Sequence, residues 1–380
     1  MKMTNTDHYD DSVVIPSIRR NVQLDIFGSD SLIALEPADP HVRFDCPDLD
    51  LSDYDLAIVS MSGGKDSIAG LCRLLEMGYP KEKIELWHNH VDGAPLNDDI
   101  FFDWNFMYSY NKKLAEAFGI PLYCSWLNKG LRGEMLKHNS IPHPHSFETP
   151  AGIIELGRET CKPGTRRKFP QQSGSLSTRW CSSSLKVDPA KRALTNQDRF
   201  LGQRILFITG ERRASESSPR AKMSQLAPHA VDTERKSKNP KKPRYIDSWR
   251  NVLHLTEEDV WQILSDWRIT PPVPYRLGWG RSSCKLCIFS SDRVLATINE
   301  YWPEKILEVA DYEDQFGVTI ARSGKNVFER ATSTTPFIID DEEALQQSFR
   351  KEYTLPIFVP DDKIWTLPKG AFSTESSGAI

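Results

Sequence analysis

A short loop rich in glycine and serine most constrains what this chain can fold into. It has the sequence SGGKDS at residues 62–67 and follows an apolar segment, LAIVSM, at residues 56–61. Apolar residues then recur at helical spacing from Ile68 to Leu75, which predicts a helix. Two adjacent glycines let the backbone turn tightly, and a helix N-terminus adds partial positive charge. The strand, loop and helix together predict a site for an anion such as phosphate.

The loop is not a Walker A phosphate loop. That pattern requires glycine where Val59 stands, and serine or threonine where Asp66 stands. The hydroxyl groups of Ser62 and Ser67 and the ammonium group of Lys65 are nevertheless suited to phosphate oxygens. The alternative interpretation is an ordinary turn in which an aspartate caps the following helix.

Strands and helices are predicted to alternate around this loop. Further apolar segments predict strands at 84–91, 121–126 and 205–210, and a helical stretch is predicted at about 99–118. This order predicts an α/β fold with a parallel twisted sheet, helices on both faces, and ligands at the carboxyl ends of the strands. We divide the chain into an irregular N-terminal arm at 1–50, an α/β domain at 51–290 and a C-terminal extension at 291–380. In the extension we expect a helix around 303–316.

Composition indicates a cytoplasmic protein. No segment approaches the ~18 apolar residues of a membrane span, and the first thirty residues have no apolar centre of a signal peptide. We therefore expect a cytoplasmic location and no membrane partner. The formal net charge is −4, from 48 basic and 52 acidic residues, which by itself disfavours nucleic acid as a partner.

The charge is segregated along the chain. Residues 1–60 hold twelve acidic and four basic side chains, whereas residues 158–192 hold nine basic and two acidic ones. A second basic segment, RKSKNPKKPR, occupies residues 235–244 and has no apolar periodicity. The two basic segments are interpreted as surfaces for a phosphate backbone, and the alternative for each is a solvated loop.

Seven cysteines, an odd number, argue against a disulfide framework and leave metal or redox chemistry open. Cys284 and Cys287 form a C-x-x-C pair, the spacing with which two thiolates hold one metal. Cys181 and Cys161 are further candidate ligands. Structural thiols, or a zinc site completed by a histidine, are the alternatives. The histidines that could complete a zinc site are His143 and His145. The remaining cysteines, which are poorer candidates for metal ligands, are Cys46, Cys72 and Cys124.

Three segments resemble one family. The SGGKDS loop resembles the PP-loop of the ATP pyrophosphatase superfamily, which cleaves ATP between its α and β phosphates. TGERRASES at 209–217, with Arg220 beyond it, resembles the G-x-R-x-x-E-S segment of the PAPS reductase-like branch. WRNVLHLTEEDVW at 249–261 resembles the tryptophan-and-helix segment of that branch. The resemblance covers residues 55–290 and implies an adenine nucleotide alpha hydrolase-like fold.

The resemblance also implies cofactors and site residues. ATP and Mg²⁺ are expected, with Asp66 positioning the loop or the magnesium ion. Catalytic roles are implied for Lys65, Asp66, Arg212 and Arg213. Nucleotide binding is implied for Ser62, Gly63, Gly64, Lys65, Asp66, Ser67, Asp92, Gly210, Glu211 and Arg212.

The cysteine pattern resembles the iron–sulfur members of this branch, including the DndC/SspD-type sulfurtransferase component of DNA phosphorothioation. That resemblance implies an iron–sulfur cluster, [4Fe–4S], held by Cys181, Cys284 and Cys287, with Cys161 as a fourth ligand. It implies an ATP pyrophosphatase that activates DNA for sulfur transfer in phage defence. A cysteine desulfurase and other subunits of a modification complex are the implied partners.

Three alternatives remain open. One is a tRNA or small-molecule thiolation enzyme, since basic segments do not distinguish DNA from RNA. A second is a PAPS or APS reductase, which the chain disfavours because no cysteine follows Cys287 to act as the reactive thiolate. The third is a non-catalytic nucleotide-binding module of a defence complex.

Overall fold

The computed structural model describes residues 49–96, 98–215, 222–236, 238–282, 284–373 and 375, with the backbone of two short strands before them. These are β1 (Gln23–Asp25) and β2 (Leu32–Ala34), which pair antiparallel. The predicted irregular arm at 1–50 otherwise lies almost wholly outside the described residues, as do Cys46 and residues 216–221. The arm is therefore not irregular throughout, because two of its segments form a strand pair.

Eight further strands form one sheet in the order β7-β6-β5-β4-β3-β8-β10-β9. Neighbouring strands are parallel from β5 through β4, β3 and β8 to β10, and the pairs at both edges are antiparallel. The strands are β3 (Leu56–Ser60), β4 (Ile84–His90), β5 (Leu122–Leu127), β6 (His145–Thr149), β7 (Gly152–Leu156), β8 (Arg204–Ile208), β9 (Leu226–Pro228) and β10 (Tyr245–Trp249).

Side chains of the central strands alternate between two apolar cores. Ala57 and Val59 belong to the larger core, and Leu56 and Ile58 belong to the smaller one on the other face. Helices supply both cores, as strands buried on both faces require. The predicted α/β fold, with a largely parallel sheet and helices on both faces, is therefore confirmed. The antiparallel edges were not predicted.

The helices that cover the sheet begin at the SGGKDS loop. A π-helical turn, Ser183–Val187, joins the fourth and fifth helices. The helices are α1 (Lys65–Glu76), α2 (Met107–Phe118), α3 (Gly130–Leu136), α4 (Trp180–Ser182), α5 (Asp188–Thr195), α6 (Glu257–Asp266), α7 (Val273–Arg276), α8 (Asp292–Tyr301), α9 (Pro303–Phe316), α10 (Val327–Ala331) and α11 (Glu342–Phe349).

One predicted helix is shorter than expected. The stretch predicted at 99–118 is helical only from Met107. The buried carboxylate of Asp92 accepts N–H bonds from Phe102 at 3.0 Å and Asp103 at 2.8 Å. These bonds hold the preceding residues in a loop instead of a helical turn, because their donors bond to a side chain that lies earlier in the chain.

The C-terminal extension packs into the larger core. Trp302 makes edge-on ring contacts with Trp104 and Trp279, with centroids 5.8 and 6.2 Å away, and Tyr353 stands 4.8 Å from Tyr110. The expected helix at 303–316 is confirmed as α9. The boundary at residue 290 remains a division predicted from sequence. No helix among the described residues has the length and apolar character needed to cross a membrane.

Candidate functional site

The SGGKDS loop lies at the carboxyl end of β3, near the middle of the sheet. Gly63 has a φ of +77°, and a Cβ atom there would lie 2.8 Å from Sδ of Met107. Gly64 is the N-cap of α1 in extended conformation. A side chain at residue 63 would therefore meet both backbone strain and a steric clash, which explains the first glycine of the pair.

Hydroxyl groups fix the shape of this loop. The N–H of Ser62 donates to Oγ of Ser67 at 3.3 Å, and the N–H of Gly64 donates to Oγ of Ser62 at 3.3 Å. The hydroxyl of Ser67 donates to the carbonyl oxygen of Gly64 at 2.8 Å. These bonds hold the loop at the N-terminus of α1, where the helix dipole favours an anion.

A network of four charged side chains lies beneath the loop. The ammonium of Lys65, which is 2% exposed, lies 3.5 Å from a carboxylate oxygen of Asp66 and 3.4 Å from one of Glu257. The guanidinium of Arg212 donates from Nε to Asp66, and its NH2 group lies 3.7 Å from Glu257. The ammonium also lies 5.2 Å from the ring centre of Tyr275. We call these four charged residues the charge network.

The charge network affects the pKa of the Asp66 carboxyl group. Burial acts to raise the pKa of Asp66, but the positive charges of Lys65 and Arg212 outweigh burial and lower that pKa. Both carboxylate oxygens already contact cations, so this side chain positions the loop and, in this conformation, does not fit a magnesium ion. The Mg²⁺ site therefore remains a prediction.

The second predicted nucleotide segment also lies beside the loop. Thr209, Gly210 and Glu211 follow β8, the strand that pairs with β3. A Cβ atom on Gly210 would lie 2.9 Å from backbone atoms of Asp66 and Ser67. This glycine therefore allows the turn after β8 to contact the first turn of α1.

We expect Gly210→Ala to lower the free energy of unfolding by about 1–3 kcal/mol, because its methyl group would push the turn away from α1. The substitution should also weaken the binding of an anion such as phosphate at the SGGKDS loop. Urea unfolding measures the first effect. Gly164→Ala is the control, because the space around Gly164 is open. Equal stability of the two variants would contradict the close packing of the turn against α1.

One cavity of about 390 Å³ joins the loop to the cysteines. Its volume lies within the range of sites for small molecules. Hydroxyl, charged and sulfur groups share its wall with apolar side chains. The lining includes Ser60, Ser62, Gly64, Asp66, Ser67, Thr209, Gly210, Glu211, Arg179, Cys181, Lys186, Tyr275, Arg281, Ser282, Cys284, Cys287 and Phe289.

The cysteines predicted to bind metal are only partly brought together. Cys181, Cys284 and Cys287 line the cavity, whereas Cys161 is not among its lining residues. Among the described residues, no group of three or more His, Cys, Asp or Glu side chains is arranged to hold a metal ion. Burial raises the pKa of the Cys284 thiol well above its usual value, which favours the protonated form. The donor set is suited to iron, but its arrangement does not fit a preformed metal centre.

Five other predicted residues are not among those that line the cavity: Gly63, Lys65, Asp92, Arg212 and Arg213. The side chain of Lys65 belongs to the charge network, and a guanidinium N–H of Arg213 donates to the carbonyl oxygen of Met223 at 3.2 Å. Asp92 is buried and holds the loop before α2. Burial raises the pKa of Asp92 to about 7. Phosphate or nucleotide contacts by these five residues remain predictions.

The two basic segments are placed differently. In the first, at 158–192, Arg179 and Lys186 line the cavity. In the second, at 235–244, Arg235 contacts Asp232 at 2.6 Å, and Lys242 contacts Asp198 at 2.7 Å. No described residue of the second segment lines the cavity. Only the first basic segment therefore contributes side chains to the cavity that the SGGKDS loop also lines.

Sequence reasoning missed three residues of the site. Glu257 completes the charge network, the phenol oxygen of Tyr275 accepts the N–H of Lys65 at 3.3 Å, and Arg281 lines the cavity. Two of them had a local signal. Glu257 is the first residue of α6, and the sequence around it matches the capping box that Thr256 forms with Asp259. Arg281 comes shortly before the C-x-x-C pair.

Comparisons with known proteins give one relative of unstated function. No protein-family model matches the chain. An uncharacterised 37.8 kDa protein from the gpa 5′ region of Escherichia phage 186 is 24% identical over 296 residues, covering 74% of this chain and 81% of that protein.

Solved structures of Candida glabrata FMN adenylyltransferase have low similarity to this chain. The structure with FMN and the ATP analogue AMPCPP has a TM-score of 0.31 at 11% identity and covers 77% of this chain and 73% of that one. The structure with FAD and pyrophosphate has a TM-score of 0.30 at 12% identity, with coverage of 80% and 76%. The site is therefore interpreted from its own residues.

Proposed function

We propose that this protein is an ATP pyrophosphatase of the PP-loop type that activates an acceptor for sulfur transfer. The observation that carries the proposal is a single cavity lined by the SGGKDS loop, at the N-terminus of α1, and by three cysteines. The loop has the sequence of a PP-loop, and the α/β sheet places it at the carboxyl end of a central strand, as open α/β folds place ligand sites. The proposed fold type is that of the adenine nucleotide alpha hydrolases.

The proposed chemistry has two steps. An acceptor oxygen attacks the α-phosphorus of ATP, pyrophosphate leaves, and the acceptor becomes adenylated. A sulfur nucleophile at the oxidation level of sulfide then attacks the activated acceptor, and AMP leaves with the original oxygen. The loop N–H groups, the hydroxyls of Ser62 and Ser67, and the cation of Arg281 would stabilise the departing pyrophosphate.

We place the acceptor in nucleic acid and favour DNA phosphorothioation in phage defence. A cysteine desulfurase would supply the sulfur as a persulfide, and a thiol reductant, itself oxidised to a disulfide, would reduce that sulfur to the level of sulfide. The basic side chains Arg179 and Lys186 support an anionic acceptor at the cysteine end of the cavity.

Mass spectrometry of nucleosides tests this acceptor. DNA and tRNA are digested from host cells without the gene, with it, and with an Arg281→Ala variant, in each case together with the neighbouring genes. We expect phosphorothioate-linked dinucleotides in DNA only with the unaltered gene. A change confined to thiolated tRNA bases would refute DNA as the acceptor and favour tRNA thiolation.

Anaerobic reconstitution tests the predicted iron–sulfur cluster. If the cluster prediction is correct, the unaltered protein retains iron and acid-labile sulfide, and a Cys284→Ala/Cys287→Ala variant loses both. Cys72→Ala is the control, because Cys72 is buried in the larger core. Equal iron contents in the unaltered protein and the double variant would refute ligation by this pair.

A further inference from the structure

Two cations at the cysteine end of the cavity form no close ion pair with a carboxylate of the described residues. Arg179 is 6% exposed, and Lys186 follows it on the next turns of helix; both line the cavity. Neither forms a salt bridge within 4.0 Å in the part of the chain that the structure describes. Lys65 and Arg212, at the other end, are neutralised by two carboxylates. The two ends of the cavity therefore differ in uncompensated positive charge.

The buried guanidinium of Arg179 has one donor without a partner. Nε of Arg179 is buried without a hydrogen-bond partner among the described residues, and its guanidinium carbon lies 5.8 Å from the ring centre of Phe289. Burial of a charge without a partner is costly, and such groups in proteins are normally paired. Because Arg179 lines the cavity and forms no close ion pair there, its guanidinium is suited to bind an oxyanion.

We propose that Arg179 and Lys186 form a second anion site, which binds a backbone phosphodiester of the acceptor nucleic acid. This inference rests on the proposed function and names the residues that would hold its acceptor phosphate. The nucleotide would then occupy the loop end of the cavity and the acceptor phosphate the cysteine end. The nucleotide and the acceptor phosphate would then lie in the same cavity as the three thiols.

Further basic residues of the same segment favour a polymer over a small oxyanion. Three basic residues before Arg179 are exposed: Lys162, Arg167 and Lys168. The same segment is attached to the cavity wall, because the amide of Gln172 donates to the carbonyl oxygen of Ile288. A chain of phosphates running over this segment would contact cations both outside and inside the cavity.

The test measures oligonucleotide binding without ATP. Full-length protein is titrated against fluorescent duplex DNA, single-stranded DNA and an RNA hairpin, and against the same DNA with neutral methylphosphonate linkages. We expect Arg179→Gln and Lys186→Gln each to weaken phosphodiester binding by about tenfold. Each should also reduce the slope of log affinity against log salt by about 1. The methylphosphonate probe should bind equally weakly to all variants.

Two control variants distinguish binding at this site from a nonspecific effect of positive surface charge. Lys325→Gln removes an exposed lysine outside both basic segments, and Lys238→Gln/Lys241→Gln removes two exposed lysines of the second basic segment. Neither control should change binding. Circular dichroism checks that Arg179→Gln folds, and Lys186→Gln provides a second variant in which the removed side chain is exposed.

Three outcomes would overturn the inference. The first is oligonucleotide binding that is unchanged in both site variants, and the second is binding lost only in the second-segment control. The third is Arg179-dependent binding of inorganic phosphate without binding of any oligonucleotide. That result would indicate a site for small anions. Since no ATP is present, failure of this test is distinct from failure of the ATP chemistry. The three nucleic-acid probes show which polymer supplies the phosphodiester.

Discussion

The Asp66→Asn/Glu257→Gln variant is expected to lose about 3–5 kcal/mol of unfolding free energy, the usual cost of leaving a buried charge without its partner. These two carboxylates neutralise Lys65 and Arg212, which are 2% and 4% exposed. Without the carboxylates, two cations would remain under the loop with no counter-charge. Urea unfolding followed by tryptophan fluorescence measures the loss.

The matched control removes an exposed ion pair. Asp198→Asn breaks a pair with Lys242 whose two side chains are 72% and 54% exposed. Such surface pairs contribute about 0–1 kcal/mol. A double variant that loses no more stability than this control would contradict the role of the charge network.

The same network gives a pH dependence. The pKa of Asp66 lies below its ordinary value of 3.8, so its stabilising contribution is complete above that pH. The contribution is lost as pH falls through the folded-state pKa. We therefore expect the stability gap between the unaltered protein and Asp66→Asn to narrow below about pH 4. A gap that stays constant from pH 7 down to pH 3 would contradict the charge interaction.

The Arg281→Ala variant is expected to lower ATP turnover by about 10²–10³-fold, the range found when one preorganised charge-stabilising donor is removed. Arg281 lines the cavity, and its charge helps to lower the pKa of Asp66. It forms no salt bridge within 4.0 Å in the described part of the chain. Its guanidinium is therefore placed to meet negative charge that develops on the departing pyrophosphate.

Turnover and stability must be measured on the same preparation. Arg281 is only partly buried, so the variant should unfold at nearly the same urea concentration as the unaltered protein. Arg350→Ala removes an exposed arginine near the C-terminus and should leave turnover unchanged. Full turnover by Arg281→Ala would exclude Arg281 from the reaction.

Local patterns predicted the part of the fold that local interactions decide. The strand, loop and helix from Leu56 to Glu76 and the helix Pro303–Phe316 follow from apolar periodicity, glycine and proline. The start of α2 did not follow, because a carboxylate from the preceding loop binds the backbone there. The β6–β7 pair was also missed, since its exposed edge lacks a strong apolar pattern.

The site shows the same limit more clearly. The sequence identified the SGGKDS loop as an anion site, but Lys65 alone does not reveal that its partner is Glu257 on α6. The same limit applies to the two basic segments, because their content of lysine and arginine led to the same prediction for both. Tertiary packing aims Arg179 into the cavity, whereas the second segment pairs with carboxylates. Such distinctions depend on contacts between residues far apart in the chain.

The most direct test of the central proposal is the identity of the products formed from ATP. Protein is incubated with Mg²⁺, oligonucleotide and ATP labelled separately at the α and γ phosphates, and the products are separated chromatographically. We predict equal amounts of AMP and pyrophosphate, and a loss of both in Arg281→Ala. Formation of ADP and inorganic phosphate, or no turnover by the unaltered protein together with its sulfur donor, would contradict a PP-loop pyrophosphatase.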